Sequence, residues 1–594
     1  MTEQEKEETE KVTTKSGVSR REFIAGTIGG VVVGAVVGAA TGSLGFPKTI
    51  TKTQMETQTE TTTATSTVVN QFWLPSKWDY TADVVVLGTG FAGQMSAITA
   101  NENGASVIML EKASQQYQGG NSKVCGQGIW TPSSGVLTDA FNYLKAMTSG
   151  TGYPVPDEYI TAYVNGSHDN VAWFQSHGAT MVPDRAPGTW EPFYPMFPGA
   201  AGMASETDSY SVTFGKYTGP GRDWFFLEDL ITAKPGITKM YSTPATKLIQ
   251  NPQTKEIIGV QATSNGSTIN VKANRAVIMC TGGYEFNQDM TRNYIHIQDF
   301  AGPGTPYNTG DGIKMGQAVG ADLIGMGVYA APWGMHFRTS DWKSTLNFGN
   351  PSKGGIIWVG ADWKRYRDEF YTPNYGTYGT PTSQYPFLAT SWKPTLVGSV
   401  MENGDFRREK TPFPIHAVFD ETARLSGPLF SGSYAGQIEG FTGSSNNSAE
   451  LAKGYITTAG DIKSLAATMG KDLLGNPADG NVLAAEVTNW NAMCAAGKDT
   501  EYGRTVNLTP IQTAPFYAVN LTPGTLNTQG GLLRDVNCNV LDTTGTPIPR
   551  LYGAGENGDR VWANLYECMH NVGAGCMAMG RTAGTNAAAL KPWS

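Results

Sequence analysis

Asp83-Val-Val-Val-Leu-Gly-Thr-Gly-Phe-Ala-Gly93 sets a short apolar run directly before three glycines spaced GxGxxG. The run reads as a buried strand. Gln94 to Asn103 then carries a helical pattern, and Ser106-Val-Ile-Met-Leu110 is a second apolar run ending at Glu111. Strand, glycine turn, helix, strand and acid in register are what a dinucleotide fingerprint needs. Gly88 permits the tight turn, Gly90 lets the backbone approach a pyrophosphate, and Gly93 lets the helix pack closely. Phe91 and Ala92 open that helix, whose amino end faces the phosphates. Glu111, roughly 20 residues after the first glycine, is placed to accept hydrogen bonds from the adenosine ribose. These residues predict an α/β fold with a Rossmann-like domain.

Outward from this unit, Lys112 leads into a glycine-punctuated loop containing Gly119-Gly120-Asn121-Ser122, Gly126 and Gly128, and continuing through Ile129-Trp130-Thr131-Pro132. NAD domains rarely need such a loop. Further blocks follow: Thr243-Pro-Ala245-Thr-Lys-Leu-Ile249, then Cys280-Thr281-Gly282-Gly283-Tyr-Glu-Phe-Asn287, Asn308-Thr-Gly-Asp311-Gly, Gly553-Ala-Gly555-Glu556, and Gly573-Ala-Gly575 running on to Gly584. Together these motifs, spread over residues 79–584, resemble the FAD-binding family that contains soluble fumarate reductases, succinate dehydrogenase flavoprotein subunits and 3-ketosteroid dehydrogenases. The resemblance implies an FAD contacted by Ala245, Thr281, Gly282, Asp311, Gly555 and Glu556 as well as by the first loop. It implies noncovalent FAD, because Asn121 stands where respiratory members attach the flavin through a His. The helix starting near Gly573 would face the flavin pyrimidine and stabilise the reduced ring. The resulting order is a FAD-binding domain (78–290), an inserted α+β substrate-capping domain (291–500) and the rest of the FAD-binding domain (501–594). Aromatics of the insertion, including Trp333, Phe337, Trp342, Trp358, Trp363, Tyr366, Tyr371, Tyr375 and Tyr378, suit either a pocket for a flat substrate or a second core.

The same resemblance proposes the chemistry. Reduction of a carbon–carbon double bond takes a hydride at one carbon and a proton from a positioned acid at the other. The reductases of the family use an arginine from a Phe-Asp-x-x-x-Arg segment, which Phe419-Asp420-Glu421-Thr422-Ala423-Arg424 matches. Glu369, in Lys364-Arg365-Tyr366-Arg367-Asp368-Glu369, matches the proton relay. An ion pair of Arg424 with Asp420 or Glu421 is the plain alternative. Where fumarate reductases place a His before Thr-x-Gly-Gly, this chain has Asn527-Thr528-Gln529-Gly530-Gly531, and Glu567-Cys-Met-His570-Asn571 stands where they place an Arg. A dicarboxylate would lose two cationic clamps, so a neutral or bulkier enone, or an aryl-substituted unsaturated acid, is expected, with Asn527 and His570 as carbonyl-polarising candidates. Trp130, Tyr143 and Tyr517 look more like the ketosteroid branch, in which tyrosines abstract a proton and polarise the ketone. That leaves a dehydrogenase as the alternative, and a non-catalytic flavin electron carrier as a third.

With 594 residues the chain exceeds one core, and 72 glycines with only 16% charged residues suit a globular ligand binder. The net charge of −8 and the lack of a basic cluster argue against nucleic acid. Six cysteines (125, 280, 494, 538, 568, 576) form no haem-attachment, iron–sulfur or other metal spacing, so a separate electron carrier, cytochrome or quinone-linked, is expected. Ser19-Arg20-Arg21-Glu22-Phe23-Ile24 before the uncharged stretch 25–46 resembles a signal for the twin-arginine export machinery, hence a periplasmic or other extracytoplasmic location. At about 20 residues or more that stretch is long enough to stay as a membrane anchor. Residues 47–77 read as a Thr-rich linker.

Overall fold

The computed structural model describes residues 73–593 except 150–153, 184–196, 206–208, 214–216, 218–220, 296–301, 303, 330–334, 339–344, 367, 371–398, 403–404, 409–413, 433–442, 472–474, 524–525 and 562–570. The export signal, the 25–46 stretch and nearly all of the linker lie outside the described residues, as do His570 and the aromatics at 333, 342, 371, 375 and 378.

β1 (Tyr80–Leu87), α1 (Phe91–Glu102) and β2 (Val107–Leu110) form where the two apolar runs and the helical pattern place them. β1 pairs in parallel with β2 on one side and with the long returning strand Ser267–Met279 on the other. Its side chains are buried on both faces, which is why it reads as an unbroken apolar run. Val84 and Val86 join the core under α1, while Val85 and Leu87 join the opposite core with Leu248, Val260 and Ala262. The sheet extends in parallel to Ile237–Met240 beyond β2 and to Pro547–Gly553 beyond the returning strand. Chain before and after the insertion is thus hydrogen-bonded into one sheet. The strands Ala245–Gln250 and Ile257–Ser264 add to it antiparallel.

α1 is buried from Phe91 to Ala100 with no polar face. One reason is the helix Met579–Ala589, whose Ala583 and Ala587 share its core. A Cβ on Gly93 would lie 2.1 Å from the Gly88 carbonyl oxygen, so close packing at that turn depends on the missing side chain, as expected from the motif.

The insertion carries its own seven-stranded sheet, in the order Ile356–Val359, Ile415–Asp420, Phe516–Pro523, Met335–Arg338, Thr345–Phe348 and Phe430–Gly432, with Thr457–Ala459 also paired to Phe516–Pro523. Phe516–Pro523 is central there, so the insertion runs past residue 500 to at least Pro523. The boundary expected at 500 is corrected accordingly: the apolar run at 516–521 pairs with Ile415–Asp420 and not with the cofactor sheet. Trp358 and Trp363 are buried in the cores on either side of this sheet. They serve packing rather than a substrate pocket.

Candidate functional site

The end of β1, the start of α1, the end of β2, the 117–122 loop and the turn at Gly555 surround one pocket. Gly88, with φ of +104°, turns the chain where a Cβ would meet the Cys280 carbonyl oxygen at 2.3 Å. Gly90, Phe91 and Ala92 line the pocket beyond it. The Phe91 amide at the amino end of α1 donates to Ser122 Oγ at 2.9 Å. Glu111 is 8% exposed and accepts from the Thr89 hydroxyl at 2.5 Å and from the Ala113 amide at 2.8 Å. Burial pushes its carboxyl pKa up, against the pull of those hydrogen bonds. Lys112 Nζ bonds Asp311 Oδ2 at 2.6 Å, tying the end of β2 to the first residue of the helix Asp311–Ala318. Gly120, Asn121, Ser122, Ala245, Thr281, Gly282, Gly555 and Glu556 complete the predicted lining.

Five predicted contacts take other places. Gly93 packs α1 against the turn, and Gly119 (φ +105°) lies against the Trp224 indole. Gly573 packs on Trp130, whose carbonyl oxygen a Cβ would meet at 2.2 Å. Gly126 and Gly128 are likewise outside the pocket lining.

The structure adds residues that spacing did not mark. Thr89 Oγ1 accepts from the Gly119 amide at 3.0 Å while donating to Glu111, joining the glycine turn to the next loop. Tyr117 and Tyr307 both line the pocket with ring centroids 6.4 Å apart. Arg534, 1% exposed, donates to the Gly555 carbonyl at 3.0 Å and braces the second cofactor turn. Spacing gave none of them a signal: Thr89 is a single hydroxyl between two glycines, and Tyr117, Tyr307 and Arg534 belong to no motif.

The pocket suits an FAD. It combines a glycine turn at a helix amino end, a buried acid at the next strand end, and the buried Thr281 hydroxyl, which has no protein partner. Among the described residues the cysteines are free thiols; Cys280 and Cys576 line the pocket. Asn121 is held by the protein: it donates to Glu285 at 2.9 Å and to the Leu526 carbonyl at 2.8 Å, and accepts from the Thr305 amide.

None of the four catalytic candidates lines this pocket. Arg424 makes a two-point pair with Glu421, both bonds 2.6 Å, and donates to Tyr517 Oη at 3.1 Å and to the Asn446 carbonyl. Tyr517 Oη donates to the same Glu421 at 2.6 Å. The Glu421 hydrogen bond pushes the Arg424 pKa further above its ordinary value. Asp420 instead caps the short helix Glu421–Arg424 through the Ala423 amide.

Glu369 does not meet Arg424. Its carboxylate, fully buried, is shared between Arg365 (2.8 Å) and Arg504 (3.0 Å), and Arg365 also holds Asp499 at 2.9 Å. Burial opposes the Asp499 charge, yet Arg365 and the Tyr502 and Glu501 amides hold that carboxyl down to about 2. A relay from Glu369 to Arg424 is therefore corrected: two guanidiniums claim that carboxylate. Tyr143 is fully buried in the core, ring edge toward Phe197 at 6.0 Å. Asn527 is 2% exposed in the loop beside the pocket.

Residues 83–562 match the FAD binding domain family. Relatives include a digoxin reductase of Eggerthella lenta, 26% identical over 555 residues that cover 87% of this chain and 88% of the relative. A vinyl phenol reductase of Lactiplantibacillus plantarum is 25% identical over 515 residues, 82% of this chain and 91% of its own. The solved 3-ketosteroid Δ1-dehydrogenase of Sterolibacterium denitrificans has a TM-score of 0.61 at 22% identity, over 86% of this chain and 99% of that one, and so shares the fold. With a matching pocket and a match over most of its length, the chain belongs to the FAD binding domain family and is an FAD-dependent oxidoreductase.

Proposed function

We propose that the protein reduces a carbon–carbon double bond conjugated to a carbonyl, carboxylate or aryl group, and that fumarate is not its substrate. The observation that carries the second half is Asn527, an uncharged amide buried beside the cofactor pocket where a dicarboxylate site needs a cation. The relatives named for digoxin and vinyl phenol point the same way, since neither name denotes a dicarboxylate. Gly88, Gly90, Glu111, Ser122 and Gly555 would hold the FAD, which would supply the hydride, and Asn527 polarises the substrate. Arg424 delivers the proton, with Glu421 and Tyr517, not Glu369, as its immediate partners. The grip of Glu421 makes Arg424 a poorer acid at rest, so substrate must take over part of that hydrogen bonding.

Anaerobic spectroscopy tests this. Flavin reduced by dithionite should be reoxidised by neutral enones or cinnamates and far more slowly by fumarate. If the reduced enzyme stays bleached with all of them, while a saturated ketosteroid bleaches the oxidised enzyme, the reaction is the dehydrogenase one. Electrons would come from a separate cytochrome or quinone-linked carrier. The Arg20-Arg21 signal supports export by the twin-arginine route, with stretch 25–46 retained as an anchor. Lysine at both positions should leave the protein in the cytoplasm, read by fractionation.

A further inference from the structure

Asn308, 6% exposed, lines the cofactor pocket from the loop just before the helix Asp311–Ala318. Its side-chain nitrogen donates to Glu285 Oε1 at 2.7 Å, and a carboxylate oxygen accepts only from the NH2 end of a carboxamide. That bond fixes which way the amide points. The carbonyl end, Oδ1, lies against Gly282, which also lines the pocket: a Cβ there would sit 2.6 Å from it. No protein group among the described residues donates to Asn308 Oδ1.

Glu285 keeps the amide in this orientation. Its side chain is completely buried, the same Oε1 accepts from Asn121 at 2.9 Å, and its Oε2 lies 3.3 Å from the Thr528 hydroxyl. A rotated Asn308 amide would set its carbonyl against the carboxylate, two acceptors with no proton between them. The pocket is therefore offered an acceptor at this point, and a buried acceptor without a donor is costly.

Position selects the donor. Thr309, the next residue, accepts from Lys112, the neighbour of Glu111, while Glu285 ties Asn308 to Asn121. Asn308 is thus fastened both to the strand end that bears Glu111 and to the loop that bears Asn121 and Ser122. Between the adenosine ribose, which falls to Glu111, and its ring, FAD carries a diphosphate and a ribityl chain. Phosphates only accept, whereas ribityl hydroxyls donate. We propose that Asn308 Oδ1 accepts a hydrogen bond from a ribityl hydroxyl of FAD, and that Glu285 is the positioning residue that holds Asn308 for it. The proposal rests on FAD binding and not on the identity of the substrate.

The test titrates the FAD-free chain with FAD and with analogues that each lack one ribityl hydroxyl, read by flavin fluorescence, alongside thermal unfolding of each FAD-free protein. The unmodified chain should bind one of the deoxy analogues at least about five-fold more weakly than FAD, as expected when a buried acceptor loses its donor. Asn308→Leu should bind FAD more weakly by a similar factor and no longer distinguish that analogue from FAD. Glu285→Gln either turns an NH2 group toward the two Asn amides or frees Asn308 to rotate, and should shrink the same discrimination. Equal binding of FAD and all the deoxy analogues by the unmodified chain overturns the proposal without recourse to any variant. An N308L protein that keeps the discrimination overturns it as well. An E285Q protein that unfolds at a lower temperature yet keeps the full discrimination overturns the positioning role of Glu285.

Discussion

Arg424 and Glu369 are both charged groups taken from motifs, yet their surroundings separate them. Arg424 keeps 12% of its side-chain area exposed and shares Glu421 with the Tyr517 hydroxyl. Glu369 is sealed between two guanidiniums that stack on Trp490 at 4.5 and 4.6 Å. Removing one member of such a buried network strands the others: Glu369→Gln should cost about 3–5 kcal/mol of stability. Chemical denaturation checks this, and a folded fraction retaining normal turnover would complete the case for a structural role. Arg424→Lys keeps the charge but loses the two-point pair. Turnover should fall about 100-fold or more with FAD content unchanged, since general acids typically contribute that much. Steady-state kinetics at matched flavin absorbance would show it, and unchanged kcat would remove Arg424 from the mechanism. Glu111 was readable from its place at a strand end. Thr89, which holds it, was not, because one hydroxyl between two glycines carries no pattern.

At the scale of elements, the decisive contact is that of α1 with the β1 turn. The Gly93→Ala methyl would need the Gly88 carbonyl to retreat from 2.1 Å, and overpacking of this kind costs about 1–3 kcal/mol. We expect lower FAD occupancy and a lower melting temperature together, measured by absorbance and thermal denaturation. A normal flavin content would mean that the turn yields without disturbing the phosphate site. The sequence marked β1, α1 and β2 because buried parallel strands are continuous apolar runs. It did not mark Phe516–Pro523 as part of the insertion. An apolar run has no label for its partner strand, and its pairing with Ile415–Asp420 spans nearly 100 residues of chain.

For the whole molecule, His416 offers a global readout. It is 2% exposed on the strand Ile415–Asp420, and burial lowers its pKa to about 4 from 6.5, against a backbone hydrogen bond at Met469. The folded state thus prefers neutral imidazole. Its contribution is fully present above pH 6.5 and is lost as pH falls from 6.5 toward 4, at about 1.4 kcal/mol per pH unit. His416→Leu should flatten that part of the stability-versus-pH curve relative to the unmodified chain, and parallel curves would show that the imidazole is not responsible. At this scale the division between sequence and structure is clear. Local runs and glycine spacings determined the cofactor sheet, the FAD pocket and the family, because each depends on residues close in the chain or on a motif with one geometry. Tertiary structure alone decided that Tyr517 joins the Arg424–Glu421 pair and that Arg504 and Asp499 close a buried ion network around Arg365 and Glu369. Those are contacts of side chains from distant segments, and spacing along a chain carries no record of which charged group reaches another first.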